Sequence, residues 1–249
     1  MSLEQVAERI SQWIADQVRR AGARGGVLGV SGGVDSALVA ALTAKALPGR
    51  ALGVLMPCHS QPEDEEWGRL VLQTFGLEAL RVDLTPAYDA LVGCLPPGSD
   101  LARANLKPRL RMATLYYLAN AHNYLVIGSG NKSELMVGYF TKFGDGGVDL
   151  LPIGGLYKHQ VRALARAVGV PQPIVERPPT AGLWPGQTDE GEMGISYEDL
   201  DAVLAALEAG EVGHLDAGLV ERVRAMQARS EHKRRMPPIC PVEWPAILG

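Results

Sequence analysis

The strongest constraint on this chain is an alternation. Short apolar runs and helix-periodic stretches take turns along its first two thirds at roughly 25-residue spacing, the mark of repeated βαβ units. Strands are expected at Gly26–Val30, Ala51–Pro57, Glu78–Leu84, Tyr124–Ser129 and Asp149–Ile153. Between them, Leu3, Val6, Ile10, Trp13, Ile14 and Val18 recur at three- and four-residue steps and predict an amphipathic helix, closed by Gly22, Gly25 and Gly26. ALVAALTAKAL after Ser36 is apolar nearly all round, so it is expected as a buried helix. Ser60–Glu63 has the S-x-x-E pattern of a capping box and should open a helix ending at Gly76. Further helices are expected from Tyr88, from Pro108 to His122, near Asn131, and around Val161–Val168, Leu200–Leu207 and Leu219–Ala228. Gly169–Gly194 has no periodicity, and a loop of that length in a compact domain is expected to be a functional or a mobile segment. The tail MPPICPVEWP is too rich in proline for a regular helix. The pattern predicts an α/β chain: a five-stranded parallel sheet flanked by helices, as a single domain over residues 1–249.

Composition removes several alternatives. Apolar residues make up 47% of the 249 positions and charged residues 21%, which is globular rather than disordered. The net charge of −4 and a pI near 5.8 argue against nucleic acid as the main partner. No apolar run approaches a membrane span, and the N-terminus MSLEQVAERI has no secretion-signal core, so a cytoplasmic protein is expected. Cys58, Cys94 and Cys240 are odd in number and unpaired by spacing, which fits reduced thiols.

SGGVDS sits where the first strand meets the buried helix. A helix N-terminus presents free N–H groups and positive potential, so it attracts anions. Gly32 and Gly33 are expected to allow close backbone approach with positive φ, and Ser31 and Ser36 add hydroxyls. The loop has neither the lysine of a P-loop nor the third glycine of the dinucleotide fingerprint. It carries Asp35, which beside a phosphate needs a hard cation such as Mg²⁺ between the two.

The SGGxDS string resembles the pyrophosphate loop of the N-type ATP pyrophosphatases, which have an adenine-nucleotide alpha-hydrolase-like (Rossmann-like) fold. NLKPRLRM (Asn105–Met112), the block NKSELMVGYFTKFGDGGVDLLPIG, PPTAGLWPGQTDE (Pro178–Glu190) and HKRRMPP narrow the likeness to the NAD synthetase family. That resemblance implies ammonia-dependent conversion of deamido-NAD to NAD with ATP, by way of an adenylate. It implies ATP on Gly29, Val30, Ser31, Gly32, Gly33, Val34, Asp35 and Ser36, with Ser129, Lys158 and Thr180 as further contacts, and Mg²⁺ on Asp35 and Glu134. Ser129 stands where the family usually has threonine, so the hydroxyl is kept. Arg109, Lys142, Asp149, His232 and Lys233 resemble the residues that hold deamido-NAD, in a homodimer with the dinucleotide across the interface. The glutamine-using members carry an amidase domain ahead of this one, and none is expected here, so free ammonia is the expected donor. Related adenylating enzymes acting on other acids share SGGxDS but not the long block.

Both substrates of the first step are anions, so charge neutralisation and alignment are expected to carry the catalysis. Lys158 is expected to neutralise the triphosphate. Asp145 in GDGG is a candidate to bind ammonium and take its proton, or else only shapes the turn. The loops at Phe143–Gly147 and Pro178–Glu190 are expected to close over the substrates, with Trp184 either in that lid or a plain anchor. His59, His122, His159 and His214 show no ligand spacing and read as ordinary polar residues.

Overall fold

In the computed structural model, which describes residues 1–184 and 186–242, twelve helices and four strands are found among the described residues. In chain order these are α1 (Leu3–Arg20), β1 (Gly25–Gly29), α2 (Val34–Ala46), β2 (Ala51–Leu55), α3 (Pro62–Thr74), β3 (Glu78–Arg81), α4 (Thr85–Gly93), α5 (Asp100–Ala104), α6 (Leu106–His122) and β4 (Tyr124–Val126). There follow α7 (Lys132–Val137), α8 (Lys158–Ala167), α9 (Gln172–Glu176), α10 (Asp189–Met193), α11 (Tyr197–Ala209) and α12 (Ala217–Arg234).

The sheet is parallel throughout, in the order β3-β2-β1-β4. The chain leaves β1 toward β2 on one side and returns to β4 on the other. The carboxyl end of β1 is therefore a topological switch point, the place where open parallel sheets bind ligands. The expected fifth strand is absent. Leu150 makes one isolated parallel bridge to Ile127, and no ladder follows. Both Asp149 N and Leu150 N donate to the single carbonyl of Val126, the Asp149 carboxylate takes the Val126 N–H at 2.8 Å, and Pro152 has no N–H to offer.

Two other expectations change locally. Ser60 does not cap α3; its hydroxyl instead accepts from Cys58 N, and the helix begins at Pro62, whose fixed φ suits a first helical position. Gly25 and Gly26 do not close α1 but lie inside β1, where a Cβ on Gly25 would fall 2.1 Å from Arg50 O. The 169–194 segment holds two short helices, α9 and α10, around a shorter irregular stretch.

Among the described residues three apolar clusters organise the fold. One joins α1, α2, α8 and α9 to one face of the sheet, through Ile14, Val18, Leu38, Leu42, Val161, Leu164 and Ile174. α2 is buried along most of its length, as its uniform apolarity requires. A second covers the opposite face, with Leu115, Leu118 and Ala119 of α6 on Val27, Leu52, Val54 and Val126. The third lies away from the sheet, where Val137 of α7 packs with Leu200, Val203 and Leu204 of α11 and Val220, Val223 and Met226 of α12. Tail residues beyond 242 lie outside the described residues.

Candidate active site

A cleft of about 480 Å³ opens at the carboxyl ends of β1 and β2, within the usual range for a nucleotide-sized ligand. Gly29, Val30, Ser31, Gly33, Val34, Asp35 and Ser36 line it. Gly32 does not, but it makes the turn: its φ is +80°, and a Cβ there would meet Trp67 Cβ at 2.6 Å and Asp64 O at 2.8 Å. Gly33, against expectation, has φ −86° and serves as the N-cap of α2 with no side chain in the way. The Ser31 and Ser36 hydroxyls lie 3.0 Å apart, and Ser36 Oγ donates to Gly33 O at 3.0 Å, so the loop is held in shape by its own side chains.

Beside the loop, Lys158 Nζ stands between two carboxylates, 2.5 Å from Asp35 Oδ2 and 3.3 Å from Glu134 Oε1. It heads α8 and is 2% exposed. Burial acts to lower the pKa of this ammonium, but Asp35 and Glu134 outweigh burial and hold it raised. Glu134 is raised as well, which for an acid favours the neutral form: burial raises it to about 7, Lys158 opposes the rise, and Asp35 and Asp189 add to it. Asn131 ties the pair together. Its side chain accepts from Glu134 N and donates to Asp35 Oδ1 at 2.9 Å, while Glu134 Oε2 accepts from Asn131 N at 3.3 Å. Asn131 is completely buried, so this capping box fixes both carboxylates at once.

Asp189 extends the acidic wall. It is 5% exposed, and burial raises its pKa. The Tyr197 hydroxyl lies 3.0 Å from Asp189 Oδ2 and 3.2 Å from Glu134 Oε1, with the Tyr197 ring 4.6 Å beneath Lys158 Nζ. Tyr139 bridges Asp189 and Glu192.

The other side of the cleft is cationic. Arg111 donates to Met56 O and Ser60 Oγ, and Lys233 donates to Gly138 O and Phe140 O at 3.0 Å each. Burial lowers the pKa of both. Asp145 lies near both; burial raises its pKa, against the Thr141 N–H that it accepts at 2.9 Å and the two cations. Its open surface faces the cleft, so water tempers that rise until the cleft is filled. Ser129 and Thr180 also line the cleft. The segment with Thr180 is tied down by Arg177 to Asp64 at 2.5 Å and by Lys107 Nζ to Leu183 O at 2.8 Å. Trp184 is 40% exposed, and Pro185 lies outside the described residues.

Arg109, Lys142, Asp149 and His232 are not on the cleft wall. Three of them form their own group: Arg109 reaches Lys142 O at 3.5 Å, and Lys142 Nζ reaches His232 O at 2.5 Å. Asp149 accepts from Tyr116 Oη at 2.9 Å; burial, and after it this bond, raise the tyrosine to about 12. Among the described residues no three His, Cys, Asp or Glu side chains converge as a complete metal cage. Asp35 and Glu134 suit Mg²⁺ in another way, since that ion takes one or two carboxylates and completes its shell with phosphate and water.

Residues 6–237 match the family model described as NAD synthase. The chain belongs to the NAD synthase family. An NH(3)-dependent NAD(+) synthetase of Carboxydothermus hydrogenoformans is 49% identical, over 95% of this chain and 97% of the relative. One of Archaeoglobus fulgidus is 50% identical, over 97% and 98%. Among solved structures, an NMN synthetase from Francisella tularensis superposes with a TM-score of 0.89 at 35% identity, covering 96% and 99%. An NH3-dependent NAD synthetase from Campylobacter jejuni gives 0.85 at 29%, covering 97% and 100%.

Within this member of the NAD synthase family, the residues of the Gly29–Ser36 loop other than Gly32 line one cleft together with Ser129, Glu134, Lys158 and Thr180. Asn131, Asp189, Tyr139 and Tyr197 were missed. Asn131-x-x-Glu134 is a capping-box pattern, so the first could have been read; the tyrosines and Asp189 act through tertiary contacts that carry no local signal.

Proposed function

We propose that this chain makes NAD by amidating deamido-NAD with ammonia: ATP first adenylates the nicotinate carboxylate, releasing pyrophosphate, and ammonia then displaces AMP. It is thus a ligase forming a C–N bond, acting at the last step of NAD synthesis. The observation that carries the reading is one cleft holding an anion-binding loop, a paired acidic wall and a buried lysine at the switch point of the sheet. Asp35 and Glu134 would hold Mg²⁺, which when bound supplies charge neutralisation and orientation for the phosphates.

In this reading the α2 N-terminus and the 31–36 amides bind phosphate oxygens. Lys158 offsets charge on the departing pyrophosphate. Asp145, facing Arg111 and Lys233, receives ammonium and takes its proton. The 178–187 segment keeps water from the acyl-adenylate, which would otherwise hydrolyse. Arg109, Lys142, Asp149 and His232 lie off the cleft wall, which fits a homodimer with the dinucleotide running across the interface toward them. Among the described residues no helix is long and apolar enough to cross a membrane, and we place the enzyme in the cytoplasm with its nucleotide substrates.

The likeness to an NMN synthetase favours a second reading, in which the acid is the corresponding mononucleotide. Purified protein with ATP, Mg²⁺ and ammonium is given deamido-NAD or the mononucleotide acid, and amide product, AMP and pyrophosphate are followed. NAD formed with equal AMP from ammonium, and little from glutamine, supports the first reading. Product from the mononucleotide alone replaces it, and product from neither refutes both.

A further inference from the structure

Lys158 and Glu134 sit on two different helices, and residues of α11 outside the cleft wall join them, Asp201 through the backbone amides at the start of α8. Asp201 of α11 is 3% exposed, and among the described residues its only ion-pair partner is His159. Its Oδ1 accepts from Ser133 Oγ, and its Oδ2 accepts from His159 N at 3.0 Å and is paired with His159 Nδ1 at 2.8 Å. Ser133 Oγ in turn accepts from Lys158 N at 3.0 Å. The first two free amides of α8 are therefore satisfied from outside the helix. Its own N-cap position is Tyr157, whose side chain makes no cap bond to them.

These contacts belong to a longer pattern. Tyr197, Asp201 and Glu208 of α11 are spaced at i, i+4 and i+11, which places them on one helix face. They engage Glu134, Ser133 and Lys132 in reverse order along α7. The same three residues reach the start of α8: Glu208 accepts from Tyr157 Oη at 2.5 Å, Asp201 holds His159, and the Tyr197 ring lies under Lys158 Nζ. α7 has only six residues, too few to hold its own geometry in water.

We propose that Asp201 is a positioning residue for the reaction: through Ser133 and the α8 amides it sets the Lys158 ammonium against the Glu134 carboxylate. The inference rests on the roles given to Lys158 and Glu134 under the proposed function. A misplacement of about 1 Å in such a group can cost on the order of a hundredfold in rate.

The test compares Asp201→Asn and Ser133→Ala with the wild type and with Glu198→Gln, an exposed α11 control. Two readouts are taken at a temperature where all are folded: pyrophosphate-forming turnover, and hydrogen exchange of the Lys158 and His159 amides in the ligand-free protein. Turnover should fall tenfold or more in both variants, with KM for ATP and for the acid held within about twofold. Exchange at the two amides should rise more than tenfold while α2 amides stay protected, and the double variant should be no worse than the poorer single one. Ser133→Ala is the milder change and decides the matter if Asp201→Asn does not fold. Turnover within about twofold of wild type overturns the proposal, as does unchanged exchange at the α8 start or loss of protection that reaches α2 equally. If the wild type makes no amide product, the functional reading fails; the exchange readout then decides alone whether Asp201 holds Lys158.

Discussion

Replacing Glu134 with glutamine should make the ligand-free protein more stable at pH 8 while abolishing its activity. Burial raises Glu134 from 4.5 to about 7 even with Lys158 beside it, so the folded state binds this proton more tightly than the unfolded chain does. A raised acid contributes stability that is full below its unfolded value of 4.5 and is lost as pH climbs through about 7. The gap corresponds to ~3 kcal/mol at pH 8. Because the side chain is 17% exposed at the cleft wall, water screens part of that, leaving about 2 kcal/mol. Glutamine is uncharged, can still accept from Asn131 N, and leaves Lys158 paired with Asp35. For a chain of this size that is a rise of roughly 4–8 °C in Tm. Melting both proteins without ligands at pH 5 and pH 8 is the assay. The variant should melt higher at pH 8, and the difference should shrink at pH 5, where Glu134 is mostly protonated and resembles glutamine. Equal or lower Tm at pH 8, or a difference independent of pH, refutes the reasoning.

Lys158→Met removes the ammonium paired with Asp35 and Glu134 and leaves these carboxylates and Asp189 facing each other; it should cost about 3–5 kcal/mol by urea unfolding at pH 8, less at pH 5. Gly32→Ala adds a Cβ at a φ of +80° into Trp67 and the Asp64 carbonyl, and should lower stability by about 1–3 kcal/mol and weaken ATP binding in calorimetry. Asp145→Asn should slow amide formation while pyrophosphate release continues, and equal loss of both steps would remove Asp145 from the ammonia step. A sizing column should return a dimer, and a fully active monomer would refute a site completed across an interface.

The sheet, the buried α2 and the anion loop were legible because each is specified within a few neighbouring residues: strand runs, an all-apolar helix, and Gly-Gly before Asp35. What was not legible is tertiary. The fifth strand failed because Asp149 spends its carboxylate on Val126 N, a contact across 23 positions. Ser60 matched a capping pattern but bonded backward to Cys58, and Pro62 set the helix start instead. His159 read as an ordinary polar residue, yet it pairs with a buried aspartate 42 positions away. The resemblance groups Lys233 with Arg109, Lys142, Asp149 and His232, but the structure sets it apart from them on the cleft wall, donating to the Gly138 and Phe140 carbonyls beside Asp145.

The placement of the ionic group also explains how a chain can keep it. Asp35 rides on α2 and Lys158 on α8, both set in the cluster under the sheet, whereas Glu134 rides on α7, whose Val137 belongs to the α11–α12 cluster. The group thus lies on the seam between two separately packed units. Apart, the first unit keeps Lys158 paired with Asp35, whereas the second carries Glu134 and Asp189, and among the described residues the ion-pair partner of Glu134 is Lys158 of the first. Closing the seam brings Lys158 between them, so the electrostatic gain arrives only when both units are docked. Burial is the main cause that raises Glu134, and the Asp35 and Asp189 carboxylates add to it; a bound cation would relieve that added part. Ligand binding and docking of the α11–α12 unit should therefore stabilise each other, with Tyr197 and Asp201 as the residues through which the two are joined.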